Sequence, residues 1–244
     1  MSSLSFRSHG FTLAGNLFIA EHPKPLAFLF IQGWRGEQNI GAARALSELG
    51  YSCMTYDMRG NGESEGDITL FSRDDFTRDA VVAYDYLQNI VGPSANIDIV
   101  SESFGAYTAA LLSQEREVAC MSLHVPASYP DEGYHKPAAP QIESSERKTE
   151  LRNWRSTPLT HTQNRAYAAL HAFNGPVQII EAELDETVHR QSPLNYAAAV
   201  QNKEQLVYQI EKGAPHSLVD DKLQAEYEKQ LTEWVLSSIN PLLN

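Results

Sequence analysis

Cysteine is scarce in this chain. Its 244 residues include two, Cys53 and Cys120, each inside an apolar strand-like run, so a disulfide framework of the kind that staples small secreted folds is excluded. Free buried thiols in a reducing cytoplasm are the expectation. Basic residues are also in short supply. Lys and Arg number 19 against 31 Asp and Glu, a formal net charge of -12, which argues against a nucleic-acid partner because phosphate binding needs a basic face. No uninterrupted apolar run approaches the ~20 residues of a membrane span. The opening MSSLSFRSHG has no basic stretch leading into an apolar core, so no signal peptide is read there and a cytoplasmic location is expected. Neither a glycine-rich phosphate loop nor metal-ligand spacing is present, and no cofactor is expected. Internal repeats and low-complexity tracts are missing too, which leaves one unit over 1–244 and the oligomeric state open, a homodimer included.

What is present is an alternation of short apolar runs and amphipathic stretches. Leu4 to Arg7 and Thr12 to Ile19 flank His9-Gly10 and read as an antiparallel hairpin. The runs Leu26 to Ile31, Tyr51 to Tyr56, Ile97 to Val100, Val118 to His124, Val177 to Glu181 and Leu206 to Ile210 are short and bounded by turn residues, as buried parallel strands are. Between them, Ala42 to Leu49, Phe76 to Ile90, Phe104 to Gln114, Pro193 to Gln201 and Leu223 to Ser238 carry apolar residues at helical spacing. This pattern predicts an α/β fold with a mostly parallel sheet of about eight strands, helices on both faces and a ligand site beyond the carboxyl ends of the strands. The rhythm breaks over residues 126–173, where prolines and the run IESSERKTELRNWRS replace it. A connection that long predicts a cap, partly helical. It gathers Arg147, Lys148, Arg152, Arg155 and Arg165, which read either as a solvated face offset by Glu143, Glu146 and Glu150 or as a lure for an anionic substrate.

The segment IVSESFGAY puts Ser103 between a strand and an Ala-rich helix, the setting of a nucleophile held on a tight strand-to-helix turn. Small residues stand two positions to either side, Ser101 and Gly105. Ser101 occupies the first glycine of the usual G-x-S-x-G. Choosing Ser101 as nucleophile instead would place bulky Ile99 where a small side chain is needed, so the Ser103 register is preferred.

Further motifs resemble those of the α/β-hydrolase superfamily across nearly the whole chain. Phe30-Ile31-Gln32-Gly33-Trp34 resembles its oxyanion loop, with Gln32 where histidine is common. Tyr56-Asp57-Met58-Arg59-Gly60-Asn61-Gly62-Glu63-Ser64 is similar to its D-x-R-G-x-G-x-S stretch, whose role is structural. Glu181-Ala182-Glu183-Leu184-Asp185 resembles its acid loop, and Lys212-Gly213-Ala214-Pro215-His216 its histidine loop. The order Ser, Asp, His is the one this fold uses. The resemblance implies Ser103 as nucleophile, His216 as general base, Asp185 as its orienting acid and the N–H groups of Trp34 and Phe104 as oxyanion donors, with Asp131 the alternative acid. His124 is read as core, and His189 as too close in sequence to Asp185 to be its partner.

The resulting expectation is a serine hydrolase of small-molecule carboxylic esters with small to medium acyl groups. A thioesterase, an acyl-aminoacyl peptidase or an acyltransferase would use the same triad, and a non-catalytic ligand-binding member of the fold is the reading from another class. Gln32, Tyr129 and Trp154 are expected to line the substrate pocket.

Overall fold

A computed structural model describes residues 1–218 and 220–239 of the chain; residue 219 and residues 240–244 of the expected 1–244 unit lie outside the described residues. The hairpin forms strands β1 (Ser2–Ser8) and β2 (Phe11–Phe18), and the six apolar runs form β3 (Leu26–Ile31), β4 (Ser52–Tyr56), β5 (Asn96–Glu102), β6 (Val118–His124), β7 (Val177–Ala182) and β8 (Leu206–Glu211). They make one eight-stranded sheet in the order β1-β2-β4-β3-β5-β6-β7-β8. Pairing is parallel from β4 through β8, and antiparallel where β2 meets β1 and β4.

Alternation along the strands decides what covers each face. Leu29, Ile31, Met54, Ile99 and Leu123 point to one side, where they meet α2 (Arg73–Val91), α3 (Phe104–Leu112), α6 (Arg165–Ala172) and α7 (Gln191–Ala199). Phe28, Phe30, Cys53, Val100 and Ile180 point to the other, under α1 (Ile40–Glu48) and α8 (Asp221–Trp234). Both cysteines are buried and free, and burial pushes both thiols well above their ordinary range. No helix among the described residues is long and apolar enough to cross a membrane.

Helix α2 begins at Arg73 rather than at Phe76, because Ser72 and Asp75 form a reciprocal cap: Asp75 N–H donates to Ser72 Oγ at 3.2 Å and Ser72 N–H to Asp75 Oδ2 at 2.9 Å. The long connection between β6 and β7 contains α4 (Ala139–Glu143), α5 (Ser145–Arg155), a 3₁₀ turn at His161–Gln163 and α6. Helix α6 sinks Ala166, Tyr167, Ala169 and Leu170 into the main core. Residues of α4 and α5, by contrast, line a cavity at the carboxyl end of β5.

The D-x-R-G stretch sits where β4 ends. Asp57 Oδ2 accepts the Glu63 N–H at 3.0 Å, and Ser64 Oγ donates to the Asp57 carbonyl at 2.7 Å. Arg59 is buried and pairs with Asp79 of α2, its guanidinium lying over the Phe11 and Phe71 rings. Gly60 takes a φ of 74° with an added Cβ 2.2 Å from the Ile68 nitrogen, so no larger residue fits this turn.

Candidate active site

At the carboxyl end of β5 the chain makes its sharpest reversal. Ser103 has φ 50° and ψ −110°, a conformation that costs on the order of 1–3 kcal/mol and persists only where the surroundings impose it. They do so here from both sides. The Ser103 N–H donates to the His124 carbonyl at the end of β6 (2.9 Å), and the Ser103 carbonyl accepts from Ala127 and Ala106 (both 3.1 Å). Gly105 lets α3 leave against the end of β3, since a Cβ there would stand 2.1 Å from the Ile31 carbonyl oxygen. Ser101, at the usual glycine position, is accommodated because its hydroxyl turns into the sheet and donates to the Ser122 carbonyl at 3.1 Å. Its side chain therefore leaves the turn free.

Two loops bring partners to Ser103. The loop after β8 places His216 with Nε2 3.0 Å from Ser103 Oγ. The loop after β7 places Asp185 Oδ2 2.7 Å from His216 Nδ1, while Asp185 Oδ1 accepts the N–H groups of Thr187 (2.8 Å) and Val188 (2.7 Å). A carboxylate held by two backbone donors is fixed in direction, and it fixes the imidazole in turn. The two loops are also tied to each other: Leu184 N–H donates to the Ala214 carbonyl at 2.9 Å, and Lys212 Nζ and Gly213 N–H reach the Glu183 carboxylate at 2.8 and 2.9 Å. Ser103 and His216 are both largely buried. Asp131, the alternative acid, is elsewhere. It accepts from Arg165 N–H and Asn164 Nδ2 at the start of α6 and so serves as a helix-end anchor. His124 is buried in the core beside Glu211 and Tyr227, and His189 Nδ1 accepts the Gln191 N–H at 3.1 Å.

Of the expected oxyanion donors, Phe104 opens α3, so its N–H is one of the helix's first, without an intrahelical acceptor. Trp34 follows Gly33, whose Cα lies against Ser103 closely enough that an added Cβ would sit 3.4 Å from the serine Cβ. The Trp34 ring packs edge-on to Phe76 and tilted on Phe104. Its Nε1 donates to Glu143 Oε1 of α4 at 2.8 Å, and Arg35 pairs with the same carboxylate. Arg35 and the Trp34 donor hold the Glu143 carboxyl below its ordinary range. Sequence reading did not find this tether, and no local pattern marks two groups that lie 108 residues apart.

A cavity of about 760 Å³ opens over Ser103 and His216, walled by Trp34, Tyr129 and Leu151 among others. Tyr129 is among its lining residues. Gln32 is not, because at the end of β3 its side chain turns to the opposite side, into a space of about 10 Å³ beside Ser101 and Gln38. Its buried amide makes no hydrogen bond there. Trp154 does not line it either: on α5 it shares a face with Arg147 and Glu150, and that face walls a neighbouring cavity of about 450 Å³. The adjacent face of α5, carrying Lys148, Arg152 and Arg155 at helical spacing, lines the Ser103 cavity.

A parallel sheet entered by an antiparallel hairpin, with a strained serine turn after β5 and acid and histidine loops after β7 and β8, is the α/β-hydrolase fold. The chain thus has the fold of the α/β-hydrolases. A family model described as serine aminopeptidase, S33, matches residues 39–156, a span that holds Ser103 but ends before Asp185 and His216. Among solved structures, Est1E from Butyrivibrio proteoclasticus with bound ferulic acid superposes with a TM-score of 0.73 at 16% identity, covering 97% of this chain and 99% of that one. An esterase from Pyrococcus furiosus, Pf2001, gives 0.69 at 16% identity with 96% and 91% covered. A serine hydrolase homologue from Coxiella burnetii gives 0.68 at 15% identity with 95% and 96% covered. No curated protein matches the chain in sequence.

Proposed function

We propose that this protein is a serine hydrolase that cleaves carboxylic esters of small to medium acyl groups through an acyl-enzyme on Ser103. The observation that carries the reading is the continuous relay Ser103 Oγ, His216 Nε2, His216 Nδ1, Asp185 Oδ2, with links of 3.0 and 2.7 Å. Ser103 attacks the ester carbonyl carbon as His216 takes its proton, and Asp185 stabilises the imidazolium. The tetrahedral oxyanion sits between the N–H groups of Phe104 and Trp34, each worth roughly 3 kcal/mol in the transition state. Collapse expels the alcohol, which receives the proton from His216. Water, deprotonated by the same histidine, then attacks the acyl-enzyme and releases the acid. Helices α4 and α5 form the cap in this reading, with α4 fastened to the oxyanion loop through Glu143.

The ester preference draws on two of the structural neighbours, one an esterase and one solved with ferulic acid bound. The aminopeptidase reading suggested by the family model needs free carboxylates for a substrate ammonium. Glu143 is already engaged by Arg35 and Trp34, Glu186 Oε2 faces the His216 N–H at 3.4 Å, and α5 faces the cavity with cations. The test is a rate profile over p-nitrophenyl esters of increasing acyl length beside a thioester and an aminoacyl amide. Esters of short to medium acyl length turn over fastest on this account, and an aminoacyl amide outpacing every ester would overturn it.

A further inference from the structure

Helix α5 places Lys148, Arg152 and Arg155 on one face, at i, i+4 and i+7, and that face lines the cavity over Ser103. Several arginines elsewhere on the molecule meet carboxylates: Arg35 has Glu143, Arg59 has Asp79, Arg116 has Asp85 and Arg165 has Asp131. Among the described residues, none of these three α5 cations has a carboxylate within 4.0 Å. Arg152 spends Nη1 on the backbone carbonyl of Glu186. Arg155 is 5% exposed; its Nε donates to the Ser128 carbonyl at 2.9 Å, and its guanidinium lies 4.7 Å from the centre of the Tyr129 ring.

A buried arginine is costly unless paired. The hydrogen bond from Nε and the contact with Tyr129, through both its ring and its hydroxyl, orient this one, and among the described residues no carboxylate offsets its charge. A planar fork held in this way suits a carboxylate, which it can engage with two parallel hydrogen bonds. The acids that share the cavity are committed otherwise or stand apart: Glu143 holds Arg35, Glu186 faces the His216 backbone, and Glu102 lies beside Gly33.

Resting on the serine-hydrolase reading, we infer that the preferred substrates are esters bearing a carboxylate, which Arg155 binds inside the cavity while Arg152 and Lys148 attract it at the rim. Arg155 is then the specificity-determining residue, and Tyr129 the surface that orients it.

The test compares three substrates: p-nitrophenyl butyrate, the p-nitrophenyl hemiester of glutaric acid, and 4-butyryloxybenzoate. The second carries its carboxylate on the acyl side and the third on the leaving-group side, so the pair also tells which half of the substrate meets Arg155. Losing a charge-assisted hydrogen bond costs about tenfold or more. Arg155→Met should therefore lower kcat/KM for one of the two anionic esters at least tenfold more than for the neutral ester, mainly through KM. Arg155→Lys, which keeps a point charge without the fork, should recover part of that loss. Because Arg155 also braces Ser128, Arg152→Ala provides a second reading at an exposed position and should lower the same ratio by a smaller factor. An equal fall for all three substrates in both variants overturns the inference and leaves the esterase reading intact. Failure of the unmodified protein to hydrolyse any of the three, with no covalent labelling of Ser103, overturns the esterase reading itself.

Discussion

Gly105→Ala adds one methyl group where the structure has no room for it. The new Cβ would stand 2.1 Å from the Ile31 carbonyl oxygen and 2.7 Å from that of Gln32, both backbone atoms that cannot swing aside. Non-bonded heavy atoms settle at about 3.5–4.0 Å, so the start of α3 must retreat from the end of β3 by on the order of 1 Å. Phe104, the first residue of α3, and Trp34, two residues beyond Gln32, carry the two proposed oxyanion donors, and the retreat pulls them apart. A displacement of that size costs about 10²-fold in rate, and overpacking of this kind costs about 1–3 kcal/mol of stability. For a domain of this length each kcal/mol lowers the thermal midpoint by about 2–4 °C. Ester turnover and thermal unfolding of the purified variant read both effects. A Gly105→Ala protein with unchanged kcat and midpoint would refute the argument that the turn, the helix start and the oxyanion loop form one packed unit.

The choice of acid is tested by two isosteric changes. Asp185→Asn should lower kcat by on the order of 10³–10⁴ with an unchanged midpoint, since the histidine loses the partner that sets its tautomer; Asp131→Asn should leave kcat near that of the unmodified protein and lower stability by about 1 kcal/mol, as loss of a helix-end anchor does. Burial pushes the Asp98 carboxyl from 3.8 up to about 7, so the folded state holds a proton that the unfolded state releases near pH 4. Its stabilising contribution is full below pH 4 and is lost as pH rises to 7. Denaturant unfolding at pH 5 and pH 8 should show a larger loss of stability with pH in the unmodified protein than in Asp98→Asn, and an equal loss in both would contradict this assignment.

The centre of the sheet could be read from the sequence because strands such as β3 and β6 are largely buried on both faces and hence rich in apolar residues: they run as expected, from Leu26 to Ile31 and from Val118 to His124. Element ends were less legible. The start of α2 depends on the reciprocal cap of Ser72 and Asp75, polar residues outside the apolar pattern. Ser103, Asp185 and His216 could be singled out because each follows a strand, in a fixed order, and the structure brings the three side chains within hydrogen-bonding distance. Pocket residues depend instead on how α4 and α5 lie over the sheet. Trp154 and Arg155 are neighbours in sequence yet belong to different cavities, a separation that only the helical rotation of about 100° per residue produces. The spacing of Lys148, Arg152 and Arg155 carried that information, but nothing in it said which face would turn toward Ser103. The tether of Trp34 and Arg35 to Glu143 had no signal in the sequence at all.

The most direct test of the account is covalent labelling with a fluorophosphonate, with the adduct located by mass spectrometry of peptides. A nucleophile activated by His216 and Asp185 predicts one adduct, on Ser103, in the native protein, much slower labelling in His216→Ala and none in Ser103→Ala. Labelling that persists in Ser103→Ala, or an adduct on any other serine of the native protein, would contradict it.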